Sequence, residues 1–233
     1  MPNRVPNRPS TLLAASLTAV GLAAPAPACS LALLLALDVS ASIDPREYAL
    51  QQEGLAWALT DPQVVGAIVG AGGIWIAAYE WSGARHQYEQ IPWTWVDSAE
   101  TVAAAAGELR TMRRRADDFP TSLGYALGYG LITLASAPET CDRAVIDISS
   151  DGDNNDGFPP KSAYAAHDLT GITVNALVIE GTEDDLPRYY REQVIRGDGA
   201  FVEVAGSYED YGEAMRRKLL REIRAMAFAA AEP

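Results

Sequence analysis

Seven apolar residues in succession, Leu31 to Leu37, run straight into Asp38, and Ser40 and Ser42 follow at alternate positions. A stretch with no polar residue on either face fits a central strand of a parallel sheet, where helices cover both sides. A strand with one face in water would alternate instead. Ending such a strand with an acid and two hydroxyls at i, i+2 and i+4 gathers oxygen donors at one strand end. That arrangement is suited to holding something.

The remaining chain alternates strand-like and helix-like segments. In PREYALQQEGLAWAL (45–59), Pro45 stands where a first helical turn tolerates it, and Tyr48, Leu55 and Leu59 recur on a helical period. Strands are predicted at 73–83 and 86–96, and Pro92 sends the second of these to a sheet edge. A helix capped by Ser98 follows, then the loop RRRADDFP (113–120) and a helix rich in small residues over 121–136. RAVIDISS (143–150) is an apolar strand that runs into the acidic loop DGDNNDG. Segments 160–170 (helix), 171–181 (strand), 186–195 (helix) and 200–205 (strand) come next. A closing helix over 207–227 carries Met215, Leu219, Leu220 and Ile223 at spacings of three and four. The pattern predicts an α/β fold: a doubly wound, mostly parallel six-stranded sheet with helices on both faces and one antiparallel edge strand.

The first residues read as an export signal rather than as part of that fold. Arg4 and Arg8 form a basic start, Leu12 to Ala24 is apolar but too short to span a bilayer, and Ala26-Pro27-Ala28 suits cleavage before Cys29. The expected organisation is a signal peptide at 1–28, one domain at 29–226 and a flexible tail at 227–233. The expected location is secreted or periplasmic, with no membrane insertion once the signal is removed. The formal net charge of −13 becomes −15 when Arg4 and Arg8 leave. Nucleic acid and anionic membrane surfaces are therefore poor partners, and cations or basic protein patches better ones.

The two cysteines bear on the same point. Cys29 lies nine positions before Asp38 and Cys141 ten before Asp151, each ahead of an apolar strand that ends in an acid. If the two strands are parallel neighbours aligned at their acidic ends, the cysteines meet at the opposite ends, within the Cα separation a disulfide tolerates. Two separate buried thiols, or lipidation of Cys29, are the alternatives.

Ligands of doubly wound sheets bind beyond the carboxyl ends of the strands, where strand order reverses. Asp38, Ser40, Ser42, Thr121 and Asp151 converge there as candidate metal ligands. All are hard oxygen donors with no His or Cys among them, so Mg²⁺ is the first expectation, with Mn²⁺ or Ca²⁺ as alternatives to it.

DVSAS, TSLGYAL and SSDG, in this order, resemble the three elements of the metal-ion-dependent adhesion site of von Willebrand factor type A domains. ALDVSASID, DDFPTSLGYALGYG, DISSDGDNNDGFPP and TVNALVIEG more narrowly resemble an exported bacterial family known as domain of unknown function 1194. The broader resemblance implies metal-dependent protein binding, in which an acidic residue of a partner completes the ion's coordination. It assigns direct or water-mediated ligand roles to the five residues above.

The chain departs from the usual pattern at Asp117 and Asp118 before the threonine, and at Asp153 and Asp156 after the last aspartate. These four are candidates to stand around the ion, where added carboxylates raise affinity or repel an acidic partner; helix capping or a solvated loop is the alternative for Asp117 and Asp118. A metal-dependent hydrolase or phosphotransferase is the rival reading, weakened because Ser40 stands where aspartyl-phosphate chemistry needs a second acid. A domain with a permanently filled or unused site is another. His86, His167, the Arg196–Asp198 tripeptide RGD, the tryptophans at 75, 81, 93 and 95 and the basic RTMRRR are read as packing, turn or surface residues.

Overall fold

The computed structural model describes Met1, residues 29–181 and residues 185–229, with side chains to residue 224. The expected signal segment therefore lies outside the described residues. Strands β1 (Leu31–Asp38), β2 (Ile74–Trp81), β3 (Gln87–Val96), β4 (Arg143–Ser150), β5 (Ile172–Ile179) and β6 (Val202–Ala205) form one sheet in the order β3-β2-β1-β4-β5-β6. Only β3 runs antiparallel to its neighbour, and it occupies the edge that Pro92 requires. The chain winds from β1 outward to β3 on one side and returns through β4 to β6 on the other. Strand order thus reverses between β1 and β4, which opens a crevice at their carboxyl ends.

Strand β1 shows why its sequence has no polar position. Leu31, Leu33, Leu35 and Leu37 pack into the core formed with α1 (Pro45–Leu59), α2 (Pro62–Gly70), α3 (Ala99–Thr111) and α7 (Tyr211–Ala229). Ala32, Leu34 and Ala36 face the other core, beneath α4 (Leu123–Leu134), α5 (Pro160–Ala165) and α6 (Leu186–Tyr189). Each leucine withdrawn from water contributes about 1.5–3 kcal/mol. The alanines leave room for α4, which approaches so closely that a Cβ on Gly130 would sit 2.7 Å from the Tyr79 hydroxyl.

The register of β1 and β4 runs from Leu31 opposite Arg143 to Leu37 opposite Ser149. Two residues earlier it brings Cys29 to Cys141, and a disulfide joins them across a Cα separation of 4.4 Å. The bridge closes a loop with a sequence separation of 112, worth roughly 4–5 kcal/mol on the chain-entropy account. The same register sets Asp151 one residue beyond the rung of Asp38.

Three elements differ from expectation. Helix α2 was not apparent in PQVVGAIVG, whose apolar residues surround the helix and bury only Val64 and Ile68. Its start is set by the Asp61 carboxylate, which accepts from the Gln63 and Val64 amides, and by Pro62 in the first turn. Helix α5 ends at Ala165, short of 170, and Asp168 then accepts from the Thr170 amide in a turn. Helix α7 continues to Ala229, into the stretch expected as a tail. Ser98 caps α3 as expected.

The tryptophans are packing residues: Trp81 is buried, and the indoles of Trp75, Trp93 and Trp95 donate to Glu139, the Thr133 carbonyl and Asp97. In the RGD tripeptide, Arg196 pairs with Val174 in an isolated bridge, and Gly197 has φ +91° with the Ile172 carbonyl against it. That is turn chemistry.

Candidate metal centre

The crevice between β1 and β4 collects five oxygen-bearing side chains from three segments. The segment after β1 brings Asp38, Ser40 and Ser42, the turn into α4 brings Thr121, and the end of β4 brings Asp151. Thr121 Oγ1 donates to Ser40 Oγ at 3.2 Å, Ser40 Oγ lies 3.4 Å from Ser42 Oγ, and Ser42 Oγ donates to Asp151 Oδ1 at 2.9 Å. These four oxygen-bearing groups form one unbroken chain. Asp38 lies beneath its Ser40 member, fully buried, with Oδ1 accepting from the Ser40 amide at 2.8 Å and Oδ2 from the Ser150 hydroxyl at 2.6 Å.

The electrostatics follow from that placement. Burial, and next the charge of Asp151, push the Asp38 carboxyl up to about 7, against the bonds from Ser150 and Ser40 that favour its ionised form. Burial also raises Asp151, against the hydrogen bond from Ser42 and the nearby Tyr208 hydroxyl. Two carboxylates held together at the end of a buried strand favour a positive charge between them, and the hydroxyls supply further neutral oxygens. Among the described residues no cluster of three or more His, Cys, Asp or Glu side chains is suited to a metal ion. The candidate donors gathered in the crevice are two acids and three hydroxyls, a chemistry that suits a hard divalent cation. A cavity of about 530 Å³ opens beside it, lined by Ser42, Thr121, Asp151, Asn155, Arg46 and Tyr208 among others. Three of the five donors thus face space that an outside group can enter.

The four additional acids fall in different places. Asp117 and Asp118 are exposed on the α3–α4 loop, and neither lines the cavity. Asp156 accepts from the Ser122 hydroxyl at 2.5 Å, and its amide donates to the Thr121 carbonyl, so it supports the threonine turn. Asp153 is half-buried in the β4–α5 loop.

Residues the sequence did not single out complete the surroundings. Asn155 Oδ1 accepts from the Thr121 amide at 2.9 Å, and Asn154 Oδ1 accepts from the Gly124 amide at 3.1 Å. Ser150 orients Asp38, and the Tyr208 hydroxyl is buried beside Asp151. Both asparagines and Ser150 stand inside the quoted DISSDGDNNDG, so proximity in sequence was the available signal. Tyr208 carried none.

A family model described as "Protein of unknown function (DUF1194)" matches residues 28–227. No curated protein matches the sequence. Among solved structures, proximal thread matrix protein 1 from the mussel byssus is similar over 82% of this chain and 48% of its own, at 15% identity and a TM-score of 0.64. Another structure of that protein is described with a zinc-occupied MIDAS motif, at 16% identity, a TM-score of 0.62 and coverage of 86% of this chain and 48% of its own. A von Willebrand factor type A protein from Catenulispora acidiphila matches at 14% identity over 84% of this chain and 43% of its own, with a TM-score of 0.61. The pilus adhesin SpaC of Lactobacillus rhamnosus GG matches at 14% identity over 85% of this chain and 31% of its own, also at 0.61. The chain thus spans half or less of the length of these proteins. Their likeness establishes the fold as that of a von Willebrand factor type A domain.

Proposed function

Taking as premise that the chain belongs to the DUF1194 family, we propose that it is an exported, divalent-cation-dependent protein-binding module. Asp38, Ser40, Ser42, Thr121 and Asp151 hold the cation, directly or through water. A bound cation would supply an open coordination position, and an acidic side chain of a partner protein would reach it through the cavity that Ser42, Thr121 and Asp151 line. The observation that carries this reading is the unbroken run of contacts from Thr121 through Ser40 and Ser42 to Asp151, ending beside the cavity. Mg²⁺ is the first candidate, because it keeps water or an outside group in its six-oxygen shell. The adhesin and matrix proteins of the same fold support a binding role over an enzymatic one. The geometry of Asp38 weighs against aspartyl-phosphate chemistry, since both of its oxygens accept hydrogen bonds and it is fully buried.

The test is calorimetric titration of Mg²⁺, Mn²⁺, Ca²⁺ and Zn²⁺ into the chelator-treated protein, beside an Asp38→Ala variant. Saturable one-site binding by the wild type that is lost in the variant is the expected result. A folded wild type that binds none of the four ions would overturn the reading and leave a structural domain.

A further inference from the structure

We propose that Arg114 is the positioning residue of this cation site, an inference that rests on the reading above and assigns the site a built-in brace. One nitrogen of its guanidinium, Nη2, donates to the carbonyls of both Val39 and Ser40, each at 2.9 Å. Val39 and Ser40 are buried, so these carbonyls need a protein donor in place of water. The two carbonyls belong to the peptide planes on either side of the Ser40 Cα. Holding both fixes the backbone that aims the Ser40 hydroxyl, and that hydroxyl is the one that contacts both Thr121 and Ser42.

Arg114 stands on the loop that leads to Thr121, so a single guanidinium joins the two segments whose hydroxyls must meet. Two further contacts bring the same loop to the strand ends. The Ala41 amide donates to the Phe119 carbonyl at 2.9 Å, and the Arg115 amide donates to the buried Glu80 carboxylate at 2.5 Å. In RTMRRR, Arg113 and Arg115 are exposed, and the Arg115 guanidinium lies over the Tyr88 ring at 4.4 Å. Arg114 alone among these three neighbours is drawn in to the carbonyls after β1. Removing it leaves the buried Val39 carbonyl without a donor, leaves the Ser40 carbonyl with the Ile43 amide alone at 3.0 Å, and frees the loop that carries Thr121 to drift from Ser40.

The consequence differs between ions. Mg²⁺ demands a near-ideal octahedron, whereas Ca²⁺ accepts irregular shells of six to eight oxygens. A loosened site therefore loses Mg²⁺ affinity more than Ca²⁺ affinity. The test compares Arg114→Gln, Arg114→Lys and, as an exposed control, Arg113→Gln. It measures amide hydrogen exchange at Ala41 in the cation-free protein, then Mg²⁺ and Ca²⁺ affinities by calorimetry. Faster exchange at Ala41, an Mg²⁺ affinity about 10–100-fold weaker and a smaller loss for Ca²⁺ are expected in R114Q, with R113Q like the wild type. The lysine variant keeps the charge but ends one bond short of Nη2, so it behaves like R114Q to a lesser degree, and it carries the comparison if R114Q does not fold. Unchanged Ala41 exchange and an unchanged ratio of the two affinities would overturn the proposal while the cation reading stands. A wild type that binds neither ion overturns both.

Discussion

Lys218 Nζ lies 2.6 Å from Asp147 Oδ1, and neither side chain has any exposure to solvent. The same ammonium is 2.6 Å from Glu222 Oε1, which also accepts from Asn175 Nδ2 at 2.8 Å. Helix α7 is thus docked on β4 and β5 through one base and two acids. Burial, opposed by the charge of Lys218, raises the Asp147 carboxyl above its ordinary range. Lys218→Met is expected to cost roughly 3–5 kcal/mol, because it leaves two acids buried without their counter-charge. Combining it with Asp147→Leu should recover part of that loss. Urea unfolding of the three proteins measures both effects, and a loss under about 1 kcal/mol in the single variant would refute the assignment.

Glu80 predicts a pH dependence of stability. Burial, opposed by the Arg115 amide and then by Gln90 and the charges of Arg115 and Arg114, pushes its carboxyl up from 4.5 to about 7. Between those values the folded state keeps a proton that the unfolded chain has lost. Stability from this group is therefore complete below about 4.5 and falls as the pH rises to about 7, with a limiting slope near 1.4 kcal/mol per pH unit. Asp147 adds to the same trend. Glu80→Gln keeps an acceptor for the Arg115 amide and removes the titration. Its denaturation midpoint should fall less steeply across this window than the wild type's, and parallel curves would contradict the assignment.

The first strand and the edge position of β3 were legible because an unbroken apolar run has one physical use, and because Pro92 rules out an inner position. The pairing of β1 with β4 was legible in the nearly equal distances from Cys29 to Asp38 and from Cys141 to Asp151, nine and ten residues, and the one-residue difference is the offset between the two acids. Helix α2 was hidden because a cap and a proline define it rather than an apolar stripe. Asp117 and Asp118 were placed near the ion by their distance from Thr121 along the chain. The direction of that loop is set by Arg114 and the Phe119 carbonyl, and it leaves both acids exposed. Three adjacent arginines look alike in sequence, and only the buried carbonyls after β1 distinguish one of them. Lys218 and Glu222 at i, i+4 resemble an exposed helix pair, and Asp147 on another strand makes them interior groups.

Two glycines of α4 should respond oppositely to alanine. A Cβ on Gly124 would lie 1.9 Å from the Phe158 carbonyl oxygen, and the Gly124 amide already bonds Asn154. Gly124→Ala therefore pushes the β4–α5 loop, which carries Asn155 and Asp151, away from Thr121. Stability and cation affinity should fall together. A Cβ on Gly128 meets nothing within 4 Å, so Gly128→Ala should gain up to about 1 kcal/mol from helix propensity alone and leave cation affinity unchanged. Thermal unfolding and the cation titration of both variants separate these outcomes.

Asp38→Asn separates the structural role of the strand end from its role toward a cation. The asparagine can keep its oxygen on the Ser40 amide and turn its amide toward Ser150 Oγ, which accepts as readily as it donates. A carboxyl pushed up to about 7 by burial and by Asp151 is a cost to the cation-free fold at neutral pH. The neutral variant should therefore be at least as stable as the wild type without cation. A cation at 100 times its Kd stabilises the wild type by about 2.7 kcal/mol, or roughly 5–10 °C in Tm for a chain of this size. That increment should vanish in the variant. Thermal scans with chelator and with excess Mg²⁺ decide the matter: a variant that keeps the full increment would remove Asp38 from the site, and one unstable in chelator would make the carboxylate a structural group first.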